Sequence, residues 1–481
     1  MSWEGAARDF YLHPWLGTGF GNYAIIFDRQ FNPEFFNYST TETYFDRAHN
    51  NLIDITSTTG ALGLLAYLSI FVFAARDWYR SLRRRGGRIK PGAEGRPVRE
   101  LLVLAALIAA YFIQNLAVFD SLATYMGLML TLAYLIFLSQ PEEIEDEEEI
   151  ETVNNNFPDW KEWIGFGVTS VLVLIIIFSF NIRPWRMLTG VIKGYSGIAS
   201  GQMSSGFLAY RQAFALKTPL DRDGRTTLIN LVIGNPTLFT RLPADNIQDS
   251  LNYVLDLGEK NLVYNQQDSL AQMQMAQLYD VASRYYSQQP ALFKSYSDKA
   301  LAAAEKSLAA SPRRVPVYFI LAQIQANRGD MAGAEKSFLT AYDLNPNYVE
   351  ANCQLGNYYF LAKSNKYQPY VDGCLDRGGK NLLGDVLTAA VKHYQDTKDS
   401  TRLLLAYRLL VQQNPNDALL YVNLAKAELA AGNVNEALNA SIKAGDIDSS
   451  LRPAIQTFLK SIQEASSTVS TDSASSTGAE K

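Results

Sequence analysis

From Val315 onward the sequence returns to itself every 34 or 35 residues, with units starting at Val315, Val349, Gly384 and Ala418. The first unit places Tyr318, Leu321, Ala322, Gly329, Ala334, Phe338, Ala341 and Pro346 in an order of small and large positions. Small residues are required where the two helices of a pair touch, large ones fill the gaps between pairs, and proline closes the second helix. The unit from Val349 keeps Leu355, Gly356 and Tyr359 but has a degenerate second helix. The third runs through Leu387, Tyr394, Leu403 and Tyr407 to Pro415, and the fourth carries Tyr421, Leu424, Ala425, Gly432, Ala437 and Ala444. A period of this length means one helix pair per repeat, stacked into an α-solenoid. A looser unit precedes them, from Ser269 through Ala276 and Tyr279 to Pro312, with an extra loop expected around Gln288–Ser295.

The first 180 residues have a different character. Four stretches, Thr59–Ala75, Leu101–Phe119, Leu122–Leu138 and Trp163–Ile182, are apolar over roughly the 20 residues a helix needs to cross a bilayer. Between the first two lie Arg76, Arg80, Arg83, Arg84, Arg85, Arg88, Lys90, Arg96 and Arg99. Positive-inside logic puts that loop in the cytoplasm. His49, the turn at Asp120 and everything after the fourth span are then extracytoplasmic. The eight carboxylates of residues 142–151 read as a solvated cytoplasmic linker whose charges repel one another. Asp120 reads as a helix-end carboxylate facing water, with substrate contact as the alternative.

A net charge of −5 excludes a nucleic-acid protein, since phosphate binding needs a basic surface. With two cysteines and three histidines, no spacing suits a structural zinc, and neither a metal nor another cofactor is expected. Cys353 and Cys374 lie on successive helices of one repeat and are either disulfide-bonded or two buried thiols. The Ser/Thr-rich tail from Ser466 to Lys481 reads as disordered.

Two resemblances follow from these residues. The 34-residue pattern resembles the tetratricopeptide repeat. In the amino-terminal part, His49-Asn50, nine residues, then Gly60-Ala61-Leu62-Gly63 at the head of an apolar run resembles the signature of the O-antigen ligase and polymerase superfamily. Trp3 and the segment His13-Pro14-Trp15-Leu16-Gly17-Thr18-Gly19-Phe20-Gly21-Asn22-Tyr23 add to it, so the likeness covers roughly residues 1–140. Gly17–Gly21 is also phosphate-loop-like, but it lacks the Lys-Ser/Thr ending and reads as a tight turn.

That second resemblance implies a metal-independent, inverting membrane glycosyltransferase. Its donor is a glycan on a polyprenyl (undecaprenyl) diphosphate, and its acceptor is a hydroxyl on a glycan, lipid or protein. The acceptor alone separates a ligase from a polymerase. His49 is implied as the catalytic residue, and a neutral imidazole suits removal of the acceptor proton near neutral pH. Extracytoplasmic arginines are implied to neutralise the departing diphosphate. Only Arg8, Arg29 and Arg47 precede the first span, and Arg47 is the preferred contact, with Arg8 second. Pairing of Arg47 with Asp46 or with lipid headgroups is its alternative. Asn50 orients His49 or caps the next helix, while Gly60 and Gly63 permit close packing or a break at the span entrance. Relative to the family, the amino-terminal spans are missing, as expected of a fragment or of a domain split between two polypeptides.

The fold expected is all-α: a partial polytopic membrane domain followed by a tetratricopeptide α-solenoid. Its parts are an extracytoplasmic loop (1–58), three spans (59–140), an acidic linker (141–162), a fourth span (163–182), degenerate helical repeats (183–314), tetratricopeptide repeats (315–465) and the tail (466–481). Two functions compete. One is an inner-membrane glycosyltransferase whose extracytoplasmic repeats bind a protein or peptide. The other is a non-catalytic, membrane-anchored scaffold in which the repeats do all the work.

Overall fold

The computed structural model describes residues 1–39, 44–86, 96–140, 160–242, 244–458 and 460. The middle of the basic loop, most of the acidic linker and the whole Ser/Thr-rich tail lie outside the described residues. All regular structure among the described residues is helical. The chain forms two compact units, Met1–Gly329 and the remainder from Asp330.

The first unit opens with two short helices, α1 (Ser2–Leu12) and α2 (Tyr23–Arg29), and a 3-10 turn at Pro33–Asn37. Three long helices follow: α3 (Asn51–Gly86), α4 (Arg96–Gln114) and α5 (Leu122–Ser139). Helix α3 begins eight residues before the expected span because Asn50 caps it, its Oδ1 accepting from the Ile53 N–H at 3.2 Å. Helices α3, α4 and α5 pack on one another through Ala74, Leu101, Leu104, Leu135 and Leu138.

The expected second span, Leu101–Phe119, is shorter than its apolar run. Helix α4 stops at Gln114 because the next residues are held by polar contacts. Asp120 accepts from Tyr111 Oη at 2.5 Å, Asn115 Nδ2 at 2.9 Å and Asn51 Nδ2 at 3.1 Å. Asp120 is therefore half-buried and fully engaged, and it does not face water as expected. Among the described residues, three stretches are long and apolar enough to cross a membrane: Asn51–Arg83, Leu122–Ser139 and Trp163–Ala199.

The last of these also departs from expectation. Helix α6 (Trp160–Ile177) does not end near Ile182 but runs through a π-turn, Phe178–Ile182, into α7 (Arg183–Ala199). Pro184 sits in the first turn of α7, and a wide turn before it absorbs the missing backbone donor. The result is one continuous helix from Trp160 to Ala199, in which the apolar stretch Trp163–Ala199 spans 37 residues.

Helices α8 (Met203–Phe214), α9 (Asp221–Gly234), α10 (Ala244–Tyr264), α11 (Ser269–Tyr285), α12 (Pro290–Ala310) and α13 (Val315–Asn327) complete the first unit. Their core runs from Met187 through Phe207, Leu228, Leu251 and Met275 to Ile324. The extra loop expected at Gln288–Ser295 is absent. Pro290 starts α12 after a four-residue turn, and the additional residues lengthen α11 and α12 to 17 and 21 residues. Helix α13, the first of the repeat beginning at Val315, belongs with this unit. Asn327 Nδ2 donates to Asp280 at 2.9 Å and Arg328 pairs with Asp298 at 2.6 Å.

The second unit contains α14 (Met331–Leu344), α15 (Val349–Leu361), α16 (Tyr367–Asp376), α17 (Gly384–Thr397), α18 (Ser400–Gln413), α19 (Ala418–Ala430) and α20 (Val434–Ile447). Helices α15 and α16, α17 and α18, and α19 and α20 pack as consecutive pairs. Asp330, Asp399 and Asp417 cap α14, α18 and α19 with their carboxylates, which is why these helices start where they do. The degenerate second helix of the unit at Val349 is the ten-residue α16. It is tied to α15 by a disulfide between Cys353 and Cys374. Gly379 lies over that bridge, and a Cβ there would come within 2.4 and 2.5 Å of the two sulfurs.

Candidate functional site

The two amino-terminal motifs interlock. Helix α3 breaks at Gly60, whose φ of 70° and ψ of −169° suit glycine alone. Such a break frees carbonyls before it and N–H groups after it, which must find partners if they are buried. The segment Pro14–Gly19 supplies them. Thr18 and Gly19 N–H donate to the carbonyls of Ser57 and Thr58 at 3.1 and 2.8 Å, and Ala61 and Leu62 N–H donate to those of Pro14 and Trp15 at 2.8 and 3.3 Å. Contact is close enough that a Cβ on Gly60 would lie 2.3 Å from the Trp15 carbonyl, and one on Gly17 2.4 Å from the Thr58 carbonyl carbon. Gly63, one turn further on, leaves room for the Thr59 side chain, whose Oγ1 would be 1.9 Å from a Cβ there.

The residues before α3 are clamped as well. Ala48 is buried, and both its backbone groups are held. Its N–H donates to Asp54 Oδ1 at 3.1 Å, and its carbonyl accepts from Trp3 Nε1 at 2.6 Å. Next to it, His49 has a positive φ of 53°, an uncommon conformation for a residue with a side chain. Its imidazole is exposed and sits edge-on between Phe45 and Phe119, at ring-centroid distances of 6.0 and 5.3 Å. The side-chain hydrogen bonds of Asn50 go elsewhere than to that ring. Asn50 caps α3 and donates through Nδ2 to the Leu116 carbonyl at 2.9 Å, joining the end of α4 to the start of α3.

Both arginines expected at a diphosphate are engaged with carboxylates. Arg47 Nη1 binds Asp54 Oδ2 at 3.0 Å, so its carboxylate partner is Asp54 and not Asp46. Asp54 is 1% exposed, and its other oxygen holds Ala48. Arg8 pairs with Glu4 at 2.6 Å on an open face of α1. Arg29, passed over in the sequence, binds the buried Asp9 at 2.7 Å, and Thr18 donates to the other oxygen of Asp9 at 2.5 Å. Nothing in the local pattern marks this pair, because its members are 20 residues apart.

A polar cavity of 440 Å³ opens between this amino-terminal segment and helices α9 to α11, all within the first unit. Arg47 lines it from one side and Arg222 from the other. Burial, with the nearby charges of Asp268 and Asp28 adding, pushes the Tyr44 hydroxyl on its wall up to about 12, so it stays protonated at neutral pH. Beside the cavity the segment docks on the repeats. Arg314 binds Asp28, Ser311 Oγ donates to the Asp28 carbonyl at 2.7 Å, and the Arg314 guanidinium lies 4.6 Å from the Phe31 ring centre. No group of three or more metal-ligating side chains occurs among the described residues.

No family model matches the chain, and no curated protein matches it. Among solved structures, it is similar to a thermophilic tetratricopeptide repeat protein of Thermus thermophilus, with 18% identity over 50% of this chain and 99% of that one, at a TM-score of 0.29. It is also similar to a tetratricopeptide repeat protein of Parabacteroides merdae, with 16% identity over 57% and 98%, TM-score 0.31. A third is human IFIT1 in a dimer with a capped RNA, at 14% identity over 72% and 77%, TM-score 0.33. The repeat assignment rests on this chain's own spacing and helix pairs: an all-α protein with a helical-repeat array of tetratricopeptide type.

Proposed function

We propose that this chain is a membrane-anchored scaffold whose helical repeats bind a protein or peptide partner. One observation carries the anchor: none of the most apolar window of Trp163–Ala199 is buried in the protein. An exposed apolar surface of that length needs lipid or a partner to cover it. The array supplies stacked helix pairs, an architecture that binds extended partners along its surface. The basic residues in the last turns of α3 and beyond it favour a cytoplasmic position for residues 76–99 and an extracytoplasmic one for the segment before α3; the Asp28–Arg314 pair keeps the repeats on the side of that segment, and the Cys353–Cys374 bridge fits an oxidising compartment. Full-length protein should resist carbonate extraction from membranes. Photo-reactive residues at the exposed Leu361 and Leu419 should each yield a discrete crosslinked partner in cells. Carbonate release sinks the anchor, and absence of any crosslinked species sinks the partner.

A second reading, glycan transfer of the O-antigen ligase type, is favoured by His49. His49 holds a positive φ inside the motif, next to the clamped Ala48, at a cost of roughly 1–2 kcal/mol; Lys217, Lys363 and Lys398 hold one too, each just past a helix end. In this reading the exposed imidazole takes the proton of an acceptor hydroxyl on a glycan, lipid or protein. The hydroxyl oxygen then bonds to the anomeric carbon, and the bond to the polyprenyl diphosphate breaks with its electron pair leaving on phosphate oxygen. Arg47 is poorly placed to help that departure, since removing it from Asp54 would leave a buried carboxylate unpaired. Arg8 gives up only an exposed pair, worth about 0–1 kcal/mol. His49→Gly removes the base while easing the backbone, so loss of transfer with unchanged folding is the expected result. Transfer that survives His49→Gly in membranes containing donor and acceptor would end this reading.

A further inference from the structure

The 20 residues from Trp163 to Ile182 make about 30 Å of helix, the thickness of a bilayer's hydrocarbon core. Exposed Trp160 and Trp163 stand at one end of this stretch and Trp185, 67% exposed, just past the other, the positions tryptophan takes at membrane surfaces. The helix continues as α7, and α8 folds back along it. Gly190 allows that close approach, since a Cβ there would lie 2.8 Å from the Ala213 Cβ. At the return, Arg183 Nη2 donates to the carbonyls of Leu216 and Lys217. The end of α8 is thereby held beside the foot of α7, where the span leaves the lipid.

The charge of this corner is opposite to that of the whole chain. The chain carries −5, yet no Asp or Glu occurs between Trp163 and Leu220, where Arg183, Arg186, Lys193, Arg211 and Lys217 all lie. Arg183 is engaged by carbonyls and Arg211 by Asp249 at 2.6 Å. Arg186, Lys193 and Lys217 are exposed and have no carboxylate partner among the described residues. Arg186 and Lys193 line a 300 Å³ groove between the two helices, together with Trp185, Thr189, Gln212 and Leu216. Arg186 stands about 6 Å past Ile182 along the axis, inside a headgroup layer of roughly 5–8 Å. In the orientation proposed above these cations lie on the side opposite the basic loop, so the positive-inside bias does not account for them.

We infer that this corner binds the phosphate of an anionic phospholipid, with Arg186 and Lys217 on the phosphate oxygens and Trp185 and Leu216 against the glycerol and upper acyl carbons. Guanidinium and ammonium groups both bind phosphate oxygens through charge-assisted hydrogen bonds. A free phosphate would use the same cations. The exposed tryptophan and the apolar wall at the end of a span favour a headgroup, which its own acyl chains hold at that depth. The inference rests on the membrane-anchor reading and needs nothing from His49.

A photo-reactive residue at Thr189, whose hydroxyl donates to the Trp185 carbonyl within its own helix, reads the occupant of the groove. Full-length protein is placed in nanodiscs of equal phosphatidylglycerol and phosphatidylcholine, irradiated, and its adducts identified by mass. The phosphatidylglycerol adduct should exceed the phosphatidylcholine adduct about fivefold or more. Arg186→Gln combined with Lys217→Gln should bring that ratio close to parity with an unchanged melting profile. Lys193→Gln makes the same charge change about 10 Å farther along α7 and should lower the ratio less than Arg186→Gln alone. Excess inorganic phosphate should not reduce the adduct. The same photo-reactive residue at Val171, 55% exposed in mid-span, should take both lipids equally. No lipid adduct at Val171 would remove the anchor and this inference with it. Lipid adducts at Val171 overturn the inference alone, leaving the anchor, if Thr189 shows no phosphatidylglycerol excess, yields only protein adducts, or is cleared by inorganic phosphate, or if Lys193→Gln acts as strongly as Arg186→Gln.

Discussion

Gly60→Ala should damage the first unit far more than an ordinary glycine substitution. Two separate costs are involved. An alanine held at φ 70° and ψ −169° is strained by about 1–3 kcal/mol. Its Cβ would also sit 2.3 Å from the Trp15 carbonyl carbon and oxygen, and backbone atoms cannot rotate away. The segment Pro14–Gly19 must therefore lift, breaking the four backbone hydrogen bonds across the α3 break, each worth about 0.5–1.5 kcal/mol net. Strain and the four bonds together come to about 3–9 kcal/mol. Gly21→Ala is the matched control, since Gly21 has a φ of 80° but nothing within 4 Å of the point where a Cβ would stand. It should cost about 1–2 kcal/mol, from strain alone. Thermal unfolding in detergent gives the order of the midpoints, and limited proteolysis between His13 and Tyr23 reports whether the segment has lifted. Equal midpoints and equal cleavage rates for the two variants would refute the interlocking of the motifs.

Three further outcomes follow from the same contacts. Asp120→Asn turns an amide donor toward a cluster of three donors, so α3 and α4 should separate more easily, by about 1–3 kcal/mol in melts. Replacing Cys353 and Cys374 by serine removes a crosslink spanning 21 residues and should lower the stability of the second unit by about 3 kcal/mol; denaturant midpoints that do not move would argue against the bridge. Hydrogen bonds from Arg408 hold Glu428 below its ordinary carboxylate value of 4.5. The unfolded chain therefore takes up that proton first. Stabilisation by the pair is complete above about pH 4.5 and is lost as pH falls through the lower folded value. Glu428→Gln should flatten this acid limb in a pH series of melts and leave its slope near neutrality unchanged.

The repeats were legible because each unit is local: a 34-residue period writes its helix pair, its small contact residues and its closing proline into one stretch of sequence. The aspartates that start α14, α18 and α19 are equally local. Apolar runs were less informative at their ends. Apolarity predicts that Leu101–Phe119 is helical throughout, yet Asp120 and Asn115 end α4 through contacts with Asn51, which lies outside the run. The π-turn before Pro184 was hidden for the opposite reason, since a proline after an apolar run reads as a stop. At the candidate site, spacing located His49 and the two glycines, but the Trp3 hydrogen bond to Ala48 spans 45 residues.

The ion pair of Asp28 with Arg314 sets an order on biogenesis. Its members are 286 residues apart, and each is at most 2% exposed. Desolvated charges are costly alone, so helix α2 cannot settle into its final environment until Arg314 arrives. At ribosomal rates of about 5–20 residues per second, that interval is roughly 15–60 s. During it the aromatic face around Phe31 stays bare, and a nascent chain cut short of Arg314 would be left with an unfinished amino terminus and exposed to quality-control proteases.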